Sequence, residues 1–595
     1  MGKRTRYMVR SVITGDNSLH VDEIGVPRNL AQALQIPETV RSFNKDKLTI
    51  YYENKRNLYP GCSGIQIKKT NKFHRIEHLD PNYVLEEGDV VYRDIIEGDY
   101  IGFNRQPSLL FGNIGSHRVR IMDKGHTLRI NVSACSPYNA DFDGDAANGI
   151  IAQNVQARTE LEKMSWIGNW MISYQNHSPY FGCFQDSLIG SAEITRSEIN
   201  MNKYHAMLMF SNVSFEAQAY ALENFNFDKL TYTGRDVISM FLPEINFPKK
   251  KSKIYLPQYA PFIKYDPDEL YVQINRGKLI SGTLDKSTVG QKVMGSIFHI
   301  VNNEYGAKAA LETIYNFHQV ISRFFLWHGF TVGVRDINIS EDAMIEIKSR
   351  TASMKYEAQE ITERLNNREL ISPIGVTLEE FYEMEQLNAL EPADNFVTPI
   401  LNDINYKNNK IARLIFTGSK GKEANFININ GSYGQITING RRPPRNFAWG
   451  RTSPYFLRYD TSPESLGFVD TSYREGVKSH VFPFAAGDAR YSSISNALST
   501  SVSGAQNRIS VKNLESIIIN NMRQASKADN IIQPLYADAG VDARKTESVK
   551  FLTALISDKE MEEKYHAQEH MFDVKFKNKI QKILDDPKRL ESMYL

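Results

Sequence analysis

Asn139–Asp145 reads NADFDGD, and the rest of the chain is organised around it. Asp141, Asp143 and Asp145 alternate with Phe142 and Gly144. Carboxylates this close repel one another, and each resists burial unless something positive offsets the cost. A hard cation with oxygen ligands meets that need, and Mg²⁺ is the usual one where phosphates are handled. On a strand, alternation would put all three carboxylates on one side. Gly144 points instead to a tight loop that draws them round one ion. The competing reading is a solvated acidic turn. A calcium loop of the EF-hand kind fails, because it needs Gly at its sixth position and Glu at its twelfth. Those positions are Ala146 and Ala152.

The chain has 595 residues, enough for several domains. Hydrophobic residues at 41% and charged residues at 24% place it among globular proteins. The net charge is only +2, so any nucleic-acid contact must come from local patches. No apolar run approaches the ~20 residues of a membrane helix, and no membrane partner is expected. The basic start MGKRTRYMVRS has no apolar segment behind it and is not a secretory signal. Cys62, Cys135 and Cys183 form no C-x-x-C pair, so no cysteine zinc site is expected in this chain. Scattered cysteines suit an intracellular, reducing compartment. The run Lys249–Lys253, KKKSK, reads as an exposed loop, with a phosphate contact as the alternative.

SPYNADFDGD, Ser136–Asp145, resembles the active-centre signature of the largest subunit of multisubunit DNA-directed RNA polymerases. The resemblance implies an α+β multidomain chain: a double-psi β-barrel active-site domain, mostly helical pore and funnel regions, then a long bridge helix. The expected divisions are 1–150 for the barrel region, 151–335 for the pore and 336–475 for the funnel. The bridge follows at 476–516, and 517–595 begins the cleft region and carries a C-terminal tail.

Other segments fall in family order. GKRTRYMVRSVITGD becomes a β-branched run ending in a Gly-Asp turn. By resemblance, Lys3, Arg4 and Arg10 contact the nucleic-acid backbone. Val21–Leu34 reads as a short turn and helix. VVYRDI, HRVRIM and HTLRINVSA read as short strands, compatible with a small closed barrel. FNRQPSL, Phe103–Leu109, matches the family's RQPSL, which implies that Arg105 and Asn139 face the incoming ribose. Both can hydrogen-bond a 2′-hydroxyl. The family usually has an acid or amide and then Met after GD. Ala146 and Ala147 stand there, which predicts weakened contacts beside the loop.

The stretch AKAALETIYNFHQVISRFFLWH has apolar residues at helical spacing between Gly306 and Gly329. Leu311, Ile314, Phe317, Ile321 and Phe325 would face a core, and His318 and His328 read as structural. SEDAMIEIKSRTASMKYEAQEITERL reads as a half-exposed helix. Gly418–Gly421 matches the family's GSKG, which implies that Lys420 contacts the triphosphate in the entry channel; the following KEAN is an insertion. A Gly-rich turn with Lys suits phosphate, but no Walker A pattern is present.

From Gly476 the chain aligns without gaps to the family's bridge helix. Its Ser-rich body and Gly504 suit a helix that others approach closely. The resemblance implies nucleic-acid contacts by Arg490, Thr500, Gly504 and Arg508. Ala505 and Ser499 depart from the family pattern. Ile494, Leu498, Val502 and the run Leu514–Ile519 support a helix.

The resemblance covers only the middle of the family's subunit. It implies template-directed ribonucleotide addition by two Mg²⁺ ions, one held by Asp141, Asp143 and Asp145. The implied partners are the second-largest subunit, separate clamp and trigger-loop pieces of the largest subunit, DNA template, RNA product and nucleoside triphosphates. A viral source would place the protein in a virion or in the cytoplasm or nucleus of an infected cell. The alternatives are a single-chain RNA-silencing-type RNA polymerase and a non-catalytic assembly paralogue.

Overall fold

Ten short strands in the first 151 residues form two β-structures, and one of them presents the aspartates. The computed structural model describes residues 5–80, 83–252, 267–391, 409–528, 530–537 and 540. The strands are β1 (Met8–Gly15), β2 (Glu23–Pro27), β3 (Gln35–Thr39), β4 (Cys62–Ile67), β5 (Lys72–Arg75), β6 (Val90–Asp94), β7 (Tyr100–Asn104), β8 (Ile114–Met122), β9 (Leu128–Ile130) and β10 (Ala146–Ile151).

Six of them close a barrel in the order β1-β10-β7-β8-β2-β9. The β1–β9 and β2–β8 pairs are parallel and the others antiparallel. Period-two burial drives closure. In β1, Val9 and Ile13 point inward while Met8, Arg10 and Val12 are exposed. They meet Ile24, Val26, Ile101, Phe103, Val119, Leu128 and Ala147 in one apolar core.

Two sequence readings need correction here. Glu23–Pro27, read as part of a turn and helix, is a barrel strand, and only Arg28–Ala33 is helical. VVYRDI is a strand, but β6 lies outside the barrel, in the four-stranded sheet β3-β6-β4-β5. That sheet has its own core of Val40, Leu48, Tyr51, Ile65 and Val91. Buried Arg93 ties the sheet to the barrel. Its guanidinium donates to both Asp99 oxygens at 2.8 and 2.9 Å and to Glu38 at 2.6 Å. A pair this buried is costly to break from one side.

The largest core surrounds helix α2 (Ala307–His328), against which α1 (Asp186–Ile194) packs. Leu311, Ile314, Phe317 and Ile321 are buried as expected; Phe325 is half-buried, and Phe324 takes a fully buried place. His318 is buried, with Nε2 2.9 Å from Ser133 Oγ, which donates to the Gly182 carbonyl. Helix α2 is thereby fixed to the barrel. Lys249–Lys251 correct the loop expectation, since they lie in a strand, Phe247–Lys251.

Helix α3 (Glu341–Asn366) is half-exposed, burying Ala343, Ile347, Thr351, Met354 and Ala358 along one stripe. Helices α4 (Lys410–Phe416) and α5 (Glu423–Asn430) flank the GSKG turn. Buried Arg413 on α4 donates to buried Glu193 on α1 at 2.6 Å. Helix α6 (Phe482–Leu514) runs for 33 residues, about 50 Å at 1.5 Å per residue, and buries only Phe484. It stops at Leu514. Ile517–Ile519, expected to continue it, form a strand paired with Ala525–Lys527. Among the described residues, no helix is long and apolar enough to cross a membrane.

Candidate metal centre

The aspartate loop hangs between two fixed ends. Before it, the single turn Cys135–Tyr138 closes on Asn139 in the left-handed region at φ 47°. Fully buried Tyr138 bonds through its hydroxyl to His117 Nε2 at 2.8 Å. Beyond it, β10 begins at Ala146, and the Asp145 carbonyl accepts from Ile13 N–H of β1 at 2.9 Å. Ala147 is wholly buried in the barrel core. The two alanines therefore do not leave the loop slack, because backbone bonds and barrel packing hold its exit. Phe142 lies against Gly15, where an added Cβ would come within 2.8 Å of the ring. Gly144 has φ +120°, a backbone state that a side chain resists.

Asp141, Asp143 and Asp145 each offer a carboxylate oxygen, and these atoms lie within 4.8 Å of one another. Asp141 and Asp143 are exposed and Asp145 half-buried. Arg105, one residue beyond β7, donates Nε to Asp145 Oδ2 at 2.6 Å. The same oxygen accepts Asp141 N–H at 3.2 Å. The Arg105 bond holds the Asp145 carboxyl below the ordinary aspartate range. Asp141 is pushed up, first by its bond with Asp143 and then by burial and the other two charges. Three hard oxygens converging with one arginine at their edge, and a proton affinity raised by crowding, fit a dication of the Mg²⁺ kind. These three aspartates would hold it.

The remaining candidates are placed as follows. Asn139 is exposed at the loop entrance. Exposed Arg10 on β1 reaches Asn148 Oδ1 at 3.4 Å, three residues along β10 from Asp145. Arg105 and Asn139 thus gather with the aspartates at one end of the barrel, while Arg10 lies three residues further along the β1–β10 pair. Lys3 and Arg4 lie outside the described residues. Lys420 is exposed in the GSKG turn, whose contacts run elsewhere: Ser419 Oγ donates to the Gln185 carbonyl at 2.8 Å, and Lys286 N–H donates to the Thr417 carbonyl at 3.0 Å. Arg490, Thr500, Gly504 and Arg508 are all exposed on α6. Thr500, Gly504 and Arg508 share one face at four-residue spacing. The Arg105–Asp145 pair and the Phe142–Gly15 contact were not foreseen. No periodicity links residues 40 or 127 positions apart, so only the folded barrel reveals them.

A closed barrel ending in three clustered carboxylates, with helical regions following, defines a class, and comparison supplies it. Residues 2–167, 170–337 and 361–469 match domains 2, 3 and 4 of RNA polymerase Rpb1. The chain belongs to that family and carries these domains in order. Among its relatives, the DNA-directed RNA polymerase RPB1 homolog of African swine fever virus (strain Badajoz 1971 Vero-adapted) is 38% identical over 574 residues, 95% of this chain. The DNA-directed RNA polymerase II subunit RPB1-B of Trypanosoma brucei brucei is 32% identical over 571 residues. The chain spans 39% of the first relative's length and 31% of the second's.

Proposed function

We propose that this chain supplies the catalytic centre of a DNA-directed RNA polymerase, adding ribonucleotides on a DNA template within a multisubunit complex. The observation that carries this reading is the convergence of Asp141, Asp143 and Asp145 within the region matching Rpb1 domain 2. In this reading the six-stranded barrel is the double-psi barrel and α6 is the bridge helix. The divisions at 150, 335, 475 and 516 mark barrel, pore, funnel and bridge. A pair of Mg²⁺ ions would supply activation of the RNA 3′-hydroxyl and neutralisation of the departing pyrophosphate.

The chain's own groups do the rest by position and charge. The aspartates present three anionic oxygens at a rigid barrel end. Arg105 keeps Asp145 ionised and orients it, and its remaining N–H groups, with the Asn139 amide, address the ribose. Lys420 offers a point charge to the triphosphate. Lys3, Arg4 and Arg10 take backbone phosphates, and Arg490, Thr500, Gly504 and Arg508 line the template side of α6. The second-largest subunit and separate clamp and trigger-loop pieces complete the assembly, which acts inside a cell or virion. The single-chain polymerase alternative loses ground to matches with three consecutive Rpb1 domains.

The test is primer extension by the complex purified with co-expressed partners. Templated synthesis that disappears in Asp143→Ala with assembly intact supports the reading. Normal extension by that variant would sink it, and a correctly assembled parent complex with no extension would favour the non-catalytic paralogue.

A further inference from the structure

The segment Arg441–Tyr459, RRPPRNFAWGRTSPYFLRY, holds five arginines and no acidic residue in a chain whose net charge is +2. Only Arg442 is internal; it is buried and bonded to both Glu383 oxygens at 2.8 Å. The segment folds as a tight hairpin. Phe447 N–H donates to the Arg451 carbonyl at 3.0 Å, and Tyr459 N–H donates to the Trp449 carbonyl at 3.0 Å. Buried Thr452 and Ser453 root it, the Thr452 hydroxyl donating to the Ser465 carbonyl.

At the tip, Trp449 is held at φ +61°, a state bulky residues avoid, with half of its surface open to solvent. The Arg458 guanidinium carbon lies 4.1 Å from the Trp449 ring centre and that of Arg451 5.2 Å. No carboxylate pairs with Arg445, Arg451 or Arg458 among the described residues. Phe447, Tyr455 and Tyr459 stand exposed beside them.

We propose that this hairpin is a docking site for single-stranded nucleic acid, with bases stacking on Trp449 and its aromatic neighbours and phosphates taken by Arg445, Arg451 and Arg458. Guanidiniums without a carboxylate, those of Arg445 and Arg451 bonded only to the Gly450 and Ala448 carbonyls among the described residues, call for a polyanion. Several separate flat rings call for a ligand with a repeated planar face, and a strand with unpaired bases carries both along one chain. An acidic protein surface would satisfy the charge but leave the exposed rings unused. This goes beyond the polymerase reading, and no hydrogen bond or ion pair joins the hairpin to the aspartate loop among the described residues.

The test is fluorescence anisotropy of end-labelled oligouridine RNA and oligothymidine DNA with the full chain, in EDTA so that metal plays no part. Trp449→Ala is expected to weaken binding about tenfold or more through lost stacking. Arg451→Ala with Arg458→Ala should also flatten the salt dependence by about one unit of slope per arginine. The RNA and DNA arms show which strand is preferred. If Trp449→Ala does not fold, Tyr455→Ala reads the same stacking loss. Unchanged affinity in the folded variants overturns the proposal. So does equal binding of polyglutamate, which would assign the patch to an acidic protein. Either result leaves the Asp143→Ala extension test untouched.

Discussion

Arg105 and Asp145, 40 positions apart, meet at 2.6 Å because β7 pairs with β10 through Asn104 and Asn148. The barrel register thus delivers a cation to one member of the aspartate trio. Arg105→Gln keeps a donor but removes the charge, and the Asp145 carboxyl should rise toward its ordinary range. The sign follows. A depressed carboxyl contributes stability at neutral pH that disappears as pH falls through the folded value, below the ordinary aspartate value of 3.8. In the variant that protonation moves to higher pH. Carbon-13 NMR titration of the Asp145 carboxyl should show it, and an unmoved titration would remove Arg105 as the cause.

Each aspartate of the trio is expected to be required for divalent-ion binding. Asp141→Asn, Asp143→Asn and Asp145→Asn should each weaken Mn²⁺ binding, read by paramagnetic relaxation, while leaving the thermal transition near the parent's. Two of the three side chains are exposed, so little packing is lost. Retention of full Mn²⁺ affinity by all three variants would assign the loop to a solvated acidic turn.

Gly15→Ala should displace the aspartate loop without opening the barrel. The new methyl would meet the Phe142 ring at 2.8 Å, and Phe142 is itself a loop residue, partly exposed and able to move. The expected outcome is reduced Mn²⁺ affinity with a nearly unchanged melting temperature. Gly144→Ala should cost about 1 kcal/mol or more in backbone strain alone, since nothing lies near its Cβ. Equal metal affinity in both variants and parent would show that loop geometry is not critical.

His117 and His318 predict acid sensitivity. Burial pushes each imidazole down to about 4, and the Nδ1 atom of each has no partner in the protein. The unfolded chain takes up protons below about 6.5, whereas the folded one refuses them until about 4. Stability should therefore be flat above that range and fall as pH drops from 6.5 to 4, by on the order of 3 kcal/mol for each histidine. Melting temperature against pH should show the fall, and His318→Gln should reduce it. An equally steep profile in that variant would place the acid lability elsewhere.

Helix α2, NADFDGD and α6 differ in how far their own residues decide their structure. Helix α2 was clear because its apolar period and flanking glycines are local signals. The aspartate cluster was clear because its members are adjacent. Strand β2 and the placement of β6 were not, since short strands are assigned by distant partners rather than by their own sequence. The run Leu514–Ile519, read as helical, departs from that reading after Glu515 for a related reason. Ile517–Ile519 carry apolar side chains that suit either state, and pairing with Ala525–Lys527 decides for strand.

Gly504 separates what α6 needs alone from what it needs in company. It lies inside a 33-residue helix, and a Cβ built on it meets nothing within 4 Å. Within this chain, glycine there is only a cost, so Gly504→Ala should stabilise the helix by about 1 kcal/mol. Gly504→Pro should break it at a cost of about 3 kcal/mol. The face around Gly504 is open, with Thr500 and Arg508 exposed beside it and Val511 57% exposed. A 33-residue helix that buries only Phe484 leaves its sides open for partners to cover. If that partner comes close at Gly504, the methyl that helps the isolated chain should hinder the assembled one. Circular dichroism of the chain and primer extension by the complex then move in opposite directions for Gly504→Ala. A variant that gains helix stability and extends normally would show that nothing approaches α6 at this residue.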